Sequence, residues 1–428
     1  MTDDGATVRC FGRVAGTVRP DGGRIRFDYD AEWIAGNQPP LSHSLPLDGD
    51  FGVEQSTAFF GGLLPEGAPR SLLARRLGTS PANDYALLTA LGGDTAGAIS
   101  VDPGGAPATG EAGDDVEWLT DDGVAVLIDG LPTRPMHADQ DGEWRLSLAG
   151  AQDKLPVVVA QDGTIGLTRG RTPSTHILKT PIARLDDTVA NEAFCLRLGG
   201  ALDASRRSGF RTVHARPIDV LGREALLVRR YDRALRDGTM IRLHQEDLCQ
   251  ALGIPTAQKY ESDGGPGVTA CVDVLRAAGD GPSVPFFVDH LTLSFLVGNH
   301  DAHGKNFSLL YREGVRRAAL APAYDVLSTV AYHRTHDLTR KMAMQIGGEY
   351  RPEYLAYRHL QRMCVDAGLG FGPTRSRIAA LAQRAPRIAD RVREEITDEG
   401  RHRPVLDRIC EVVRERSRLL LEQVTARP

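Results

Sequence analysis

Three acidic or amide side chains at fixed spacing constrain this chain most: Asp301, Asn306 five residues on, and Asp325 nineteen beyond that. The first two sit in Gly298-Asn299-His300-Asp301-Ala302-His303-Gly304-Lys305-Asn306-Phe307-Ser308. An apolar stretch at 291–297 reads as a buried helix leading in, and Phe307-Ser308-Leu309-Leu310-Tyr311 reads as a strand leading out. The second aspartate follows on the next strand-turn, in Ala323-Tyr324-Asp325-Val326. That order of helix, loop, strand and acidic turn lets two oxygen ligands approach one hard cation from neighbouring strands.

The same order is the acid arrangement of a kinase catalytic loop. There the first aspartate takes up the substrate hydroxyl proton, and the asparagine and the later aspartate hold magnesium on the nucleotide phosphates. An Asx-capped loop would share the D-x4-N spacing, but not the elements on either side. We therefore expect an ATP-dependent phosphotransferase. Lys179 ends the apolar strand His176-Ile177-Leu178-Lys179, and Glu192 lies on the helix expected over 187–199. A sheet lysine paired to a helix carboxylate can reach the α/β-phosphates; a snorkelling strand-end lysine is the plainer alternative. Ala149-Gly150-Ala151-Gln152-Asp153-Lys154, between two expected strands, could turn backbone N–H groups toward phosphate. Ser147 just before it reads as a strand-end serine.

Elsewhere the pattern is mixed α+β. Residues 7–29 alternate around Arg19-Pro20-Asp21-Gly22-Gly23 as a hairpin, and 56–64, 71–77 and 84–91 read as short helices. Pro103 to Gly110 is linker-like, a helical run is expected over 116–129, and strands over 144–148, 155–159, 212–214 and 225–228. After Asp232 the chain reads as helical, ending in amphipathic helices such as 413–421. Where strand-rich composition gives way, Arg229-Arg230-Tyr231-Asp232 could be a hinge whose backbone meets adenine, or simply a basic strand end. The polar, glycine-rich run Lys259-Tyr260-Glu261-Ser262-Asp263-Gly264-Gly265-Pro266-Gly267 reads as a functional loop.

Composition narrows the partners. The net charge of -5 gives no basic footprint for nucleic acid. Six scattered cysteines with no Cys-x-x-Cys pair fit neither a zinc site nor a disulfide framework and suit a reducing cytoplasm. The start, Met1-Thr2-Asp3-Asp4-Gly5, lacks an apolar signal region, and no apolar stretch reaches membrane-spanning length. A cytoplasmic protein without membrane contact is expected. Residues 71–91 mimic a helix-turn-helix, but the second helix carries Asp84 and no Lys or Arg, so packing is the better account. Gly298-Asn299-His300-Asp301 also resembles a metallophosphoesterase motif, but no Asp-x-His precedes it and no Gly-His-x-His follows.

Taken together, Leu148 to Lys154, Thr175 to Lys179, Asn191-Glu192, Gln245-Glu246-Asp247, Lys259 to Gly267, Asp301 to Ser308 and Tyr324-Asp325 resemble the HipA family of serine/threonine kinases. These are the toxin halves of bacterial toxin–antitoxin pairs. Phe59 to Gly67 and Gly92 to Ala98 are similar to that family's N-terminal domain. The resemblance implies a two-lobed, protein-kinase-like α+β fold. Its parts would be an N-terminal subdomain over 1–104, a linker and short helix over 105–139, a kinase N-lobe over 140–232 and a helical C-lobe over 233–428. It implies ATP and Mg2+ as cofactors, Asp301 as base, and Asn306 and Asp325 as metal ligands. ATP contacts would come from Ala149, Gly150, Ala151, Gln152, Asp153, Lys154, Lys179, Glu192, Arg229, Arg230, Tyr231, Asp232, His303, Lys305 and Tyr324. Ser147 would be autophosphorylated; a phosphoserine carries nearly two negative charges and would repel the ATP phosphates. Implied partners are a protein substrate in translation, typically an aminoacyl-tRNA synthetase, and a small helix-turn-helix antitoxin through which alone DNA is met. A pseudokinase serving as co-repressor is the other reading. The sequence departs from the family at Arg229, where the hinge is usually acidic, and at His300, which replaces a small polar residue.

Overall fold

The computed structural model describes residues 5–36, 38–91, 95–102, 116–131, 152–168, 172–204, 211–315 and 317–426. The chain forms two compact units. The first comprises 1–180, 217–257 and 310–318; the second comprises 181–216, 258–309 and 319–428.

The first unit opens with the alternating segment. β1 (Ala6–Cys10), β2 (Arg13–Asp21), β3 (Arg24–Tyr29) and β4 (Ile99–Asp102) form an antiparallel sheet in the order β3-β2-β1-β4. The expected β2–β3 hairpin turns through Gly22 and Gly23, both at positive φ. β1, a strand the alternation did not separate from β2, adds a second hairpin through Phe11-Gly12. Ala6, Val8, Cys10, Val18, Ile25 and Phe27 face one side. Onto that side pack Phe59 and Phe60 of α2 (Val53–Gly61), Leu73 of α3 (Gly67–Arg76) and Leu87 of α4 (Asp84–Leu91). α3 and α4, the helix-turn-helix look-alike, are therefore core-packing helices. A short helix, α1 (Ala31–Ala35), adds Trp33 to the same core.

A six-stranded sheet follows: β5 (Val116–Trp118), β6 (Lys154–Val159), β7 (Ile165–Thr168), β8 (His176–Lys179), β9 (Ala215–Val220) and β10 (Arg223–Arg229), in the order β5-β7-β6-β8-β10-β9. α5 (Asp121–Gly130) lays Val124, Leu127 and Ile128 on it. The helix expected over 116–129 is thus a strand and a helix. Val116 to Trp118 gain cross-strand partners in β7, and Thr120 caps the helix by accepting from the Gly123 N–H. The chain after Asp232 is likewise a hairpin, β11 (Arg233–Arg236) and β12 (Thr239–Arg242), turning through Asp237-Gly238 at positive φ, before β13 (His244–Asp247) and α7 (Leu248–Ala251). The linker-like run at 103–110 and the strand expected at 144–148 lie outside the described residues.

Glu246 is fully buried in this unit. Its carboxylate accepts from Ser42 Oγ (2.5 Å), the His43 N–H (3.1 Å) and Tyr311 Oη (2.5 Å). Burial disfavours the charge more strongly than these donors favour it, and the carboxyl is pushed from 4.5 up to about 7. With the folded value above the unfolded one, its contribution to stability is complete below pH 4.5 and is lost as pH rises through about 7. Glu246→Gln keeps the shape without the charge. Urea midpoints should show wild type losing about 1–3 kcal/mol between pH 4.5 and 8, the variant losing less and exceeding wild type at pH 8; an unchanged slope in the variant would refute this assignment.

The second unit is helical, built from α6 (Thr188–Ala204), α8 (Val268–Ala277), α9 (Ser283–Val297), α10 (Tyr357–Asp366), α11 (Phe371–Asp398) and α12 (Pro404–Thr425). α9 is apolar nearly all round because α11, α12 and α8 cover it. Its one buried carboxylate, Asp289, takes a two-pronged ion pair from Arg377 at 2.5 and 2.6 Å. Residues 212–214, expected as a strand, make only an isolated bridge between Thr212 and Ala323. The compact units also cut the chain differently from the expected boundaries at 104, 139 and 232. Residues 1–102 and the second sheet share one unit, α6 belongs to the helical unit, and 217–257 belongs with the sheets.

Candidate active site

α9 ends where Gly298 takes the left-handed conformation (φ 69°); a Cβ there would sit 2.7 Å from Val330 Cγ2, so only glycine fits. The chain then enters the acidic loop. The Asp301 carbonyl accepts from the His303 N–H (2.8 Å) and from Asn306 Nδ2 (2.9 Å). This turn is why five residues separate the two side chains. Committing Nδ2 to the backbone makes Oδ1 the end of Asn306 that can meet a cation. Asp301 Oδ1 in turn accepts from Tyr260 Oη at 2.6 Å.

Asp301 is half-buried, and the residues flanking it are buried. Burial, then Lys259 and Lys305, lower His303 to about 3 against the opposing pull of Asp325, so its imidazole is neutral. The Lys305 carbonyl accepts from Tyr324 Oη (2.7 Å), which also meets Ser308 Oγ (2.6 Å). Asp325 adopts φ 52°, a left-handed geometry that aspartate tolerates better than most residues. Asn191 of α6 braces the chain just beyond it. Asn191 Oδ1 accepts from the Ser328 N–H (2.7 Å), while its Nδ2 donates to the Ser328 carbonyl (2.9 Å) and Tyr332 Oη (3.1 Å). His300, the unusual neighbour of Asp301, donates from Nδ1 to the Thr339 carbonyl (3.2 Å). Burial lowers it to about 4, so it adds no charge at neutral pH.

The second unit therefore gathers Asp301, His303, Lys305, Asn306, Tyr324 and Asp325. The first unit gathers a different group. Lys179, buried at the end of β8, faces Lys154 on β6, and Gln152 Nε2 donates to the Thr180 carbonyl (2.8 Å) just beyond. Asp153 is raised by burial. Arg229 is exposed opposite His176, and Tyr231 Oη donates to Gln245 Oε1 (2.6 Å). The side chains of Arg230 and Asp232 are engaged with each other: Arg230 grips Asp232 at 2.9 and 2.7 Å and reaches Ser174 Oγ and the Thr95 carbonyl. What this segment can offer a base is backbone. Glu192 is buried on α6, in the helical unit. Ser147, Ala149, Gly150 and Ala151 lie outside the described residues.

Sequence reasoning assigned no role to two residues here. Tyr260 lay in a loop already read as functional, and Asn191 is a fully buried polar residue on α6, the kind of burial that signals a purpose.

A loop joining a base-type aspartate to an asparagine and a second aspartate in one unit, and a buried sheet lysine in the other, are the parts of a kinase-like phosphotransfer scaffold in an α+β fold. Comparison with known proteins makes this specific. Residues 6–102 match the HipA N-terminal domain and residues 146–399 the HipA-like C-terminal domain. The chain belongs to the HipA family. It is 42% identical over 397 residues to the Sinorhizobium fredii protein Y4mE, covering 90% of this chain and 91% of that one. It is 30% identical over 397 residues, 85% of each chain, to the serine/threonine-protein kinase toxin HipA of Shewanella oneidensis. The solved complex of Shewanella oneidensis HipA with HipB and its operator DNA contains a chain that superposes with a TM-score of 0.78 at 27% identity, covering 98% of this chain and 96% of that one. Among the described residues no helix is long and apolar enough to cross a membrane.

Proposed function

We propose that this protein is an ATP- and magnesium-dependent serine/threonine kinase that acts as a growth-arresting toxin. The observation that carries the reading is the turn in which Asn306 bonds the carbonyl of Asp301, setting a base and a cation ligand side by side. Asp301 would accept the proton of the substrate hydroxyl. Asn306 Oδ1 and the Asp325 carboxylate suit magnesium, which keeps several waters and usually takes only one or two protein oxygens beside phosphates. ATP with magnesium supplies an activated γ-phosphoryl group and the neutralisation of its charge. Lys179, with the turn around Gln152 to Lys154, would hold the phosphates, and the backbone of Arg229 to Asp232 the adenine. We assign Ser147 as an autophosphorylation site that silences the kinase by placing like charge against the phosphate loop. The substrate is a component of translation, an aminoacyl-tRNA synthetase by family analogy. The partner is a helix-turn-helix antitoxin; the relative solved with HipB and operator DNA supports that choice, and the acidic net charge suits a chain that leaves DNA to its partner.

Peptide masses of the purified protein, phosphatase-treated and then given ATP with or without magnesium, test this. One magnesium-dependent phosphate on the peptide holding Ser147 is expected. No transfer to itself or to a pool of aminoacyl-tRNA synthetases, despite measurable ATP binding, would overturn the kinase reading in favour of a co-repressing pseudokinase.

A further inference from the structure

Beside the acidic loop runs a basic stretch, 333–341, that the phosphotransfer chemistry leaves unused. Both belong to the helical unit. The stretch leaves a firm base: Tyr332 is fully buried, its Oη donating to the Asp186 carbonyl (2.8 Å) and accepting from Asn191 Nδ2 (3.1 Å). The Tyr332 carbonyl accepts from the N–H groups of Thr335 (3.0 Å) and His336 (2.8 Å), which turns the chain back. At the far end Thr339 Oγ1 accepts from the Lys341 N–H (3.2 Å), and the Met342 N–H donates to the Tyr350 carbonyl (2.8 Å). Between these anchors the stretch is tied to the acidic loop. The Thr339 carbonyl accepts from His300 Nδ1 (3.2 Å), and the His300 N–H donates to Thr329 Oγ1 (3.1 Å). His300 immediately precedes Asp301, so this pin holds Thr339, and Arg340 after it, next to the residue that carries the base.

What the stretch displays is charge. Arg334, Arg340 and Lys341 are all exposed, and among the described residues their side chains enter no ion pair or hydrogen bond. Exposed arginines on the helices of this unit have acids to hand, as Arg362 has Asp366, Arg391 has Glu395 and Arg418 has Glu422. The acids set against the basic stretch are Asp337 within it and Glu353, whose charge reaches His333. Cations held together repel one another, and an anionic partner gains from finding them already assembled.

We propose that 333–341 is a docking surface for the protein substrate, and that it takes a short run of acidic side chains flanking the serine or threonine to be modified. This rests on the kinase reading for what happens at Asp301, but not for whether the surface exists. A guanidinium can meet a carboxylate through two parallel hydrogen bonds, which gives arginine both attraction and orientation. The stretch contains no Phe, Tyr or Trp on which a base could stack, and the net charge of -5 opposes a long polyanion. A short acidic segment of protein therefore fits it better than nucleic acid does.

Two dye-labelled serine peptides, alike except that glutamates or lysines flank the serine, are the probes for the full chain. Fluorescence anisotropy should show the glutamate peptide binding about tenfold more tightly, a preference that fades as salt rises. Arg334→Gln, Arg340→Gln and Lys341→Gln together should erase it. Asp337→Asn, which removes the acid within the stretch, should instead strengthen binding about twofold. Arg358→Gln, Arg375→Gln and Arg387→Gln together remove the same charge from exposed positions on α10 and α11 and should keep the preference. In steady-state transfer the variant of the stretch should lose about tenfold in kcat/KM for the glutamate peptide, chiefly through KM. Equal binding of the two peptides by wild type, or equal loss in the α10 and α11 variant, overturns the proposal. So does a uridine oligomer that outcompetes the glutamate peptide through Arg334, Arg340 and Lys341, which would make the surface one for RNA. Binding that depends on the stretch without any phosphate transfer keeps the surface and fails only the kinase reading. Transfer to both peptides alike, with binding that ignores the stretch, keeps the kinase reading and fails the surface.

Discussion

Asp301→Asn is expected to lower phosphoryl transfer by about a thousandfold while leaving ADP and magnesium affinity within about twofold of wild type. The asymmetry follows from which atoms the substitution touches. The Asp301 carbonyl, which holds Asn306 Nδ2 and the His303 N–H, is main chain and does not change. Asparagine keeps a side-chain oxygen for Tyr260 Oη, so the loop retains its donor and its shape. What disappears is the capacity to take a proton, and a thousandfold loss corresponds to about 4 kcal/mol of transition-state stabilisation. Asn306→Ala should behave oppositely, weakening magnesium-nucleotide binding while the base stays in place. Single-turnover transfer to a protein substrate, read beside calorimetric ADP binding, separates the two. Transfer by Asp301→Asn within threefold of wild type would remove Asp301 from the role of base.

The sequence made this half of the site readable because the chemistry packs base and cation ligand into one turn, where spacing is set by local geometry. Asp301, Asn306, His303 and Lys305 needed no long-range contact to be found. The residues that hold them did. Tyr260 is forty-one positions from the carboxylate it meets, and Asn191 is 137 from Ser328. The hinge at Arg230 to Asp232 shows the same limit. Its composition suggested a nucleotide-facing strand end, whereas its side chains close on Thr95 and Gly97, more than 130 residues earlier. The hairpin after Asp232 was missed for a different reason. Its Asp237-Gly238 turn was there to be seen, but the flanking Arg233, Arg236 and Arg242 obscure the apolar alternation by which strands announce themselves, and Leu235 points out to solvent.

Asp232→Ala should be among the most damaging single changes in the sheet-bearing unit, lowering its stability by about 3–5 kcal/mol. Burial pushes this carboxyl up, but Arg230 and Arg233, with hydrogen bonds from Arg230 and the Gly97 N–H, outweigh it and bring the group to about 2. The two guanidinium side chains are only 1% and 2% exposed. Removing the carboxylate therefore leaves two buried cations facing each other and the Gly97 N–H without its acceptor at 2.7 Å. Acid should do part of the same damage more gently. The folded value lies below the ordinary 3.8, so the ion pairs' contribution is whole above about pH 4 and fades as pH falls through about 2. That protonation term is about 2 kcal/mol, smaller than the mutational cost because a neutral carboxylic acid still fills the space and still accepts hydrogen bonds. Replacing the cluster as a whole, with Asp232→Leu, Arg230→Met and Arg233→Met together, should recover most of the loss, since a buried ion cluster earns little over apolar side chains of like volume. Thermal and urea midpoints of the four proteins at pH 7 decide it: wild type, Asp232→Ala, the triple variant, and Arg229→Ala as an exposed neighbour expected within about 0.5 kcal/mol of wild type. If Asp232→Ala matched that neighbour, the cluster would be incidental to the fold.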